Sequence, residues 1–420
     1  MSESVSNRWA IAGAGVVMQL ALGAVYAWSV FRKPLSEEYG AAVTEVNVTF
    51  TLTIVFLGIS AFFGGLWMAK VGPRTVALAV GLLYGLGLIG ASFASESLTL
   101  LYLTYGVLAG IGIGLGYIVP LATLIKWFPD KRGVITGIAV GGFGAGALTF
   151  GPVARSLIGS AGLFPTFAIL GVVFAVMVLG AAMLMKNPPE GYVPDGYDPS
   201  VEKESSQRST REFDLGGALR SWQWFALWLL LFLNVTAGIG LISEAAPMTE
   251  EIAGASAAAD TALVGTIAIF NGLGRFVWAS LSDVIGRRWV FLALFLIQAV
   301  VFFFLPSASS YALFLTLACI VLLCYGGGFG TMPAFAADYF GAKNVGKIYG
   351  LMLTAWSAAG IAGPLVVSSF RDSTGSYDAG LRVIAILMLV SAIVPFILRP
   401  PKAELAEDAA PGREAAPARS

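Results

Sequence analysis

Histidine is absent from the 420 residues, and cysteine occurs only as Cys319 and Cys324. That removes the side chains needed for His- or Cys-based metal centres and for Cys–His nucleophilic catalysis. The two cysteines lie in the apolar run "LACIVLLCYG" and read as packing residues. Charge is scarce as well. Asp, Glu, Lys and Arg make up 12% of the chain, where a soluble globular protein carries about 25%. Acids and bases balance at 25 each, so nothing points to a nucleic-acid partner. No Gly-rich loop ends in Lys-Ser/Thr, which argues against ATP-driven work. No paired carboxylates and no nucleophile–base set are visible, so no enzyme activity, metal or cofactor is expected.

What fills the space instead is apolar. Hydrophobic residues reach 57%, mean hydropathy is +0.81, and glycine occurs 51 times. A bilayer-spanning helix needs roughly 20 mostly apolar residues. Small residues let such helices approach closely where lipid gives no hydrophobic drive. The chain therefore reads as an all-α membrane protein embedded in a lipid bilayer. Hydropathy places twelve spans at 9–31, 45–69, 75–94, 98–125, 134–158, 165–185, 222–246, 261–282, 289–306, 310–337, 346–370 and 380–398. The first run is longer than the h-region of a cleaved signal, about 7–15 residues, so it is expected to stay. Residues 1–185 form an N-terminal six-helix bundle, 186–221 a polar linker, 222–398 a C-terminal six-helix bundle, and 399–420 a tail expected to lack fixed structure.

Basic residues set the orientation. With twelve spans both termini share one side. Nineteen of the 25 Lys and Arg fall on that side and six elsewhere. Lys and Arg gather in cytoplasmic loops. Both termini and the linker are thus expected in the cytoplasm, with the protein multi-pass in the inner membrane.

The two halves repeat. "GLWMAKVGPR" at 65–74 matches "ASLSDVIGRR" at 279–288 with an offset of 214. "KWFPDKRG" at 126–133 and "DYFGAKNVG" at 338–346 bring Phe128 and Phe340 into register 212 apart. "FGP" at 150–152 returns as "AGP" at 362–364. Parallel six-span repeats suit a rocking carrier with its site between the halves.

These features resemble the major facilitator superfamily, whose loop motif is carried here by Ser282, Asp283, Gly286, Arg287 and Arg288. The resemblance implies a gating role for Asp283, Arg287 and Arg288. The first-half copy keeps Gly65, Lys70, Gly72 and Arg74 but has Ala69 where the family has Asp. "GAVYAWSVFRKPL", "GIGLGYIVPLATLIKWFPDKRG", "NGLGR" and "YGGGFGTMPAFAADYFG" resemble the oxalate/formate antiporter family. That group includes bacterial lactate and pyruvate carriers related to the monocarboxylate transporters. A monomer is the family expectation.

Within this frame Arg275 stands out. No acidic residue lies within seven positions of it, and Asp283 is about 12 Å away along the helix. A cation at mid-membrane costs about 2.5–3.5 kcal/mol on insertion scales. It must face a cavity or a partner, either backbone carbonyls or the carboxylate of a bound substrate, which its fork grips bidentately. The resemblance implies the latter. Asn271, four residues earlier, shares its face and could orient it. Where animal relatives tend to hold an acid at that position, this chain is neutral. The resemblance makes Tyr117, Tyr325 and Phe329 cavity-lining, and Tyr26 in the first span joins them. Trp356 stands where the oxalate antiporter has a lysine, so the cavity would offer one cation and take a monocarboxylate such as lactate or pyruvate. Proton coupling without histidine needs a shifted carboxylate or the substrate itself. Glu244 and Asp260 are the candidates. The expected function is a secondary carrier of small monocarboxylates, proton-coupled. A carboxylate exchanger and a membrane-embedded carboxylate sensor are the competing readings.

Overall fold

The computed structural model describes residues 7–197, 209, 212–254 and 257–401, with the side chains at 246, 257–262 and 264 left aside. The chain runs as α1 (Arg8–Tyr39), α2 (Val43–Val71), α3 (Pro73–Ala91), α4 (Leu98–Trp127), α5 (Pro129–Ala161) and α6 (Leu163–Ala182). After the linker follow α7 (Trp222–Ala253), α8 (Ala257–Ile285), α9 (Arg287–Ser307), α10 (Tyr311–Phe340), α11 (Val345–Thr374) and α12 (Asp378–Ile397). Eleven helices among the described residues are long and apolar enough to cross a membrane. The remaining long helix is α8, with 29 residues. Exposed Leu82, Val176, Phe303 and Leu389 lie on the outside of the bundle, where lipid would sit.

Local chemistry sets the ends. Asn7, Ser97 and Ser310 accept backbone N–H bonds at the starts of α1, α4 and α10, filling orphan donors of the first turn. The matching turns after α2 and α8 are both made by glycine, Gly72 at φ 83° and Gly286 at φ 94°. A side chain at either would be strained.

Three helices depart from regularity. α1 tightens into a 3₁₀ turn at Ala24–Ala27 and then continues to Tyr39, well past the expected 31. α4 widens into a π-helical stretch at Tyr102–Ala109. α11 breaks at Leu353, just before Trp356. The linker is docked at its end. Asp214 caps a short helix, Leu215–Leu219, and Glu212 accepts from the Ala342 and Lys343 N–H groups at 3.1 and 2.9 Å. The tail from 402 lies outside the described residues.

The halves meet along two helix pairs, α5 with α8 and α2 with α11. Small residues bring the backbones together. A Cβ on Gly65 would lie 2.0 Å from the Gly346 carbonyl, and one on Gly133 would lie 2.2 Å from the Ala279 carbonyl. Gly65 and Ala279 are repeat mates, as are Gly133 and Gly346. The contact is thus made twice, with the halves exchanged.

Candidate functional site

Arg275 lies in α8 at the seam with α5 and is fully buried. It reaches that position because α5 and α8 nearly touch. A Cβ on Gly144 would meet Gly272 Cα at 2.8 Å and Arg275 Cδ at 3.3 Å. The guanidinium Nε donates to Asn271 Oδ1 at 3.3 Å, and Nη1 donates across the seam to the Val140 carbonyl at 3.4 Å. Among the described residues Nη2 makes no hydrogen bond of ordinary geometry, and the Tyr26 and Tyr117 hydroxyls also face the guanidinium. Among the described residues no carboxylate pairs with Arg275. The sequence left two partners open, carbonyls or a ligand. One long carbonyl bond is present and one donor group is unused.

Aromatic rings enclose the guanidinium. Its carbon lies 5.0 Å from the Phe329 ring centre, 5.5 Å from Phe143 and 5.9 Å from Tyr26. Trp356 closes the cage, with ring centres 4.6 Å from Phe329, 5.6 Å from Tyr117 and 5.9 Å from Phe143. Tyr325 stacks edgewise on Phe329 at 5.3 Å. Tyr117, Tyr325, Phe329 and Trp356 are fully buried, and Tyr26 is half-buried. The seven residues expected at the anchor therefore share one place. Such packing lowers the local dielectric and strengthens any charge pairing with the guanidinium.

Two further rings belong to the same cage. Phe143 touches Tyr26 at 5.5 Å and Tyr117 at 5.1 Å as well as Arg275 and Trp356. Its signal lay in the glycine crowd "GGFGAG", where Phe143 is the one large side chain and the flanking Gly141 and Gly144 face α8. Tyr349 lies fully buried beside Tyr117. Behind the rings, buried amides grip the backbone. Gln19 donates to the Tyr117 carbonyl at 3.0 Å, and Asn234 donates to the Tyr325 carbonyl at 3.1 Å.

The loop residues form a second constellation at the end of the bundle that carries most basic residues. Asp283 accepts from the Gly133 and Val134 N–H groups at 3.0 and 2.9 Å, reaching from α8 to the start of α5. Arg287 pairs with Asp283 and donates through Nε to Asp338 at 2.9 Å. Arg132 reaches the other Asp338 oxygen at 2.9 Å. The network thus holds Asp283 and Arg287 of the loop motif together with Arg132 and Asp338. Arg288 stays out of it and stands over the Trp289 ring at 4.6 Å. In the first-half loop Ala69 has no carboxylate to cap Gly346, so the charged clasp is one-sided.

Glu244 is not brought to the anchor. Its carboxylate accepts from the Tyr377 hydroxyl at 3.0 Å, between α7 and α12. Asn234, level with Tyr325, lies ten residues earlier, about 15 Å of helix. Burial, then the Glu244 charge, pushes the Tyr377 phenol up, so it remains a neutral donor. The Asp260 side chain lies outside the described residues. Arg371 is paired with Glu251 at 2.7 Å, leaving it no part at Arg275.

Comparison with known proteins identifies the family. The model of the Major Facilitator Superfamily matches residues 9–267 and 227–419. An uncharacterized MFS-type transporter of Escherichia coli strain K12, YhjX, is 30% identical over 84% of this chain and 86% of its own length. The oxalate:formate antiporter of Oxalobacter formigenes is 27% identical over 95% of this chain and 94% of its own. Apicoplast pyruvate carrier 1 of Toxoplasma gondii is 25% identical over 86% and 83%. Among solved structures, the transporter FucP in its outward conformation superposes with a TM-score of 0.69, at 17% identity over 91% of this chain and 97% of that one. The proton:xylose symporter XylE gives 0.70, at 13% identity over 93% and 95%. The twelve helices, their two-half arrangement and these matches together place the chain in the Major Facilitator Superfamily, as a multi-pass membrane transporter.

Proposed function

We propose that the protein is a secondary carrier of small monocarboxylates of the lactate and pyruvate class, working by alternating access with Arg275 as the carboxylate anchor. One observation carries this reading: a fully buried guanidinium, caged by aromatic rings, has an unused donor group and no ion-pair partner among the described residues. A carboxylate is the complementary ligand, since two parallel N–H···O bonds match its geometry. The single cation favours one negative charge over two, because Trp356 occupies the position that would hold a second. The names of the pyruvate carrier and the oxalate:formate antiporter point to the same chemical class.

The basic asymmetry of the loops supports a protein of the inner membrane with both termini in the cytoplasm. The carrier acts as a monomer on this reading. Proton coupling completes the proposal, and anion exchange is the second reading. Exchange is favoured by the anchor's surroundings. The polar neighbours of Arg275 named above are an amide, a carbonyl and phenols, none of which titrates near neutrality.

Uptake of labelled lactate, pyruvate, formate and oxalate into proteoliposomes tests the assignment. Lactate or pyruvate should enter and oxalate should not. An imposed pH gradient should drive accumulation without internal anion if protons are carried. A requirement for internal anion would instead establish exchange.

A further inference from the structure

The Trp356 indole N–H is a donor without a partner. Its ring is fully buried and its Nε1 has no hydrogen bond. Elsewhere this chain bonds the indole N–H groups of its packed tryptophans. Trp127 donates to the Lys186 carbonyl at 2.7 Å, Trp228 to Thr354 at 2.9 Å, Trp28 to Asn47 at 3.2 Å and Trp224 to the Ile348 carbonyl at 3.3 Å. Trp278 also lacks a partner; its ring is half-buried, packs on Gly327 and touches no other ring among the described residues. A buried donor left unmade costs about 1–3 kcal/mol. An exception of that size at the anchor calls for a ligand atom.

The chemistry of the site narrows what that atom is. Trp356 and the Arg275 guanidinium share three neighbouring rings, Tyr26, Phe143 and Phe329. The indole and the carboxylate anchor therefore border one cluster of rings. The four phenols around it also make no hydrogen bond of ordinary geometry, but Tyr26 lies beside Tyr325 and Tyr117 beside Tyr349, so rotating hydroxyls can serve one another. An indole nitrogen donates in one fixed direction and accepts nothing. We infer that Trp356 is a specificity-determining residue whose N–H binds the oxygen on the carbon next to the carboxylate, so that the site selects 2-oxo and 2-hydroxy acids. Plain alkanoates leave the donor unmade. A 2-ammonium group sets donor against donor, next to a guanidinium.

This inference rests on the carboxylate-carrier reading, and its test separates the two. Affinities of purified full-length protein for pyruvate, L-lactate, propionate and L-alanine are measured for wild type and for Trp356→Phe, which keeps an aromatic ring and loses the N–H. Wild type should bind pyruvate and lactate about tenfold tighter than propionate, and alanine should not compete. In Trp356→Phe the preference for pyruvate and lactate over propionate should collapse to near unity, whatever the common change in affinity. A melting curve of the purified variant checks that it folds. Equal wild-type affinity for propionate and lactate overturns the inference whatever the variant does. So does an equal loss for all three acids in the variant, or alanine competing as well as lactate. Wild-type protein that binds none of the acids overturns the carrier reading itself, and this inference with it.

Discussion

Asp338 of α10 accepts a hydrogen bond from Arg132 of α5 at 2.9 Å across the boundary between the halves, with the Asp338 side chain only 5% exposed. Its other oxygen holds Arg287. Removing one member of a buried ion pair costs about 3–5 kcal/mol, because the charges left behind have no partner. Arg132 and Asp338 stand on opposite halves, so opening this end would part them and the loss falls on the arrangement in which they meet. Asp338→Asn should therefore shift the population towards opening. Spin labels on exposed Lys131 and Lys343 should report a longer distance component in the variant. An unchanged distance distribution would remove the clasp from the mechanism.

Gly144→Ala should loosen the α5–α8 seam. The added Cβ would meet Gly272 Cα at 2.8 Å, and backbone cannot yield as a side chain can. Overpacking of this kind costs about 1–3 kcal/mol. The expected result is a lower melting temperature together with slower uptake. Gly180→Ala, with open space around it, is the control and should leave both unchanged.

Phe143→Leu keeps apolar volume but removes the ring over Arg275. Cation–π contacts contribute about 0.5–2 kcal/mol. Substrate affinity should fall several-fold while the melting temperature moves little. An unaltered affinity would place Phe143 outside the binding cage.

Asn234 joins the Tyr325 carbonyl to Gln298, whose Nε2 donates to Asn234 Oδ1 at 3.0 Å. Asn234→Leu leaves the buried Gln298 amide with only its bond to the Leu294 carbonyl and removes the donor to the Tyr325 carbonyl, at about 1–3 kcal/mol. Asn234→Leu with Gln298→Leu removes both partners. The double variant should melt higher than the single Asn234→Leu variant. A double variant no more stable than the single would show that the amide pair is not coupled.

Much of this architecture is written in local periodicity, and local periodicity ends where residues far apart in sequence meet. The spans, the repeat and the Asn271–Arg275 face follow from helix spacing and hydropathy, which act over a few turns. The extension of α1 to Tyr39 is hidden by "FRKPLSEEY", whose charges and proline look like a loop but form a polar helical end. Arg132 and Asp338 are 206 positions apart, and each looks like an ordinary loop charge until the halves pack. Glu244 is the reverse case. A carboxylate in an apolar helix marks it as a candidate, yet it lies about 15 Å along α7 from the level of Tyr325 and meets Tyr377 instead of Arg275. Phe143 acquires its place from its neighbours, because Gly144 lets α8 come close enough for the guanidinium to lie against it.

The most direct measurement is the affinity of purified protein for pyruvate in wild type, Arg275→Lys and Arg275→Ala. A charge-assisted hydrogen bond contributes about 1.5–3 kcal/mol, so loss of the guanidinium should weaken binding by at least tenfold. The account predicts that Arg275→Lys retains part of the affinity, as a point charge without the fork, and that Arg275→Ala loses it while remaining folded. Pyruvate bound as tightly by folded Arg275→Ala as by wild type would contradict it.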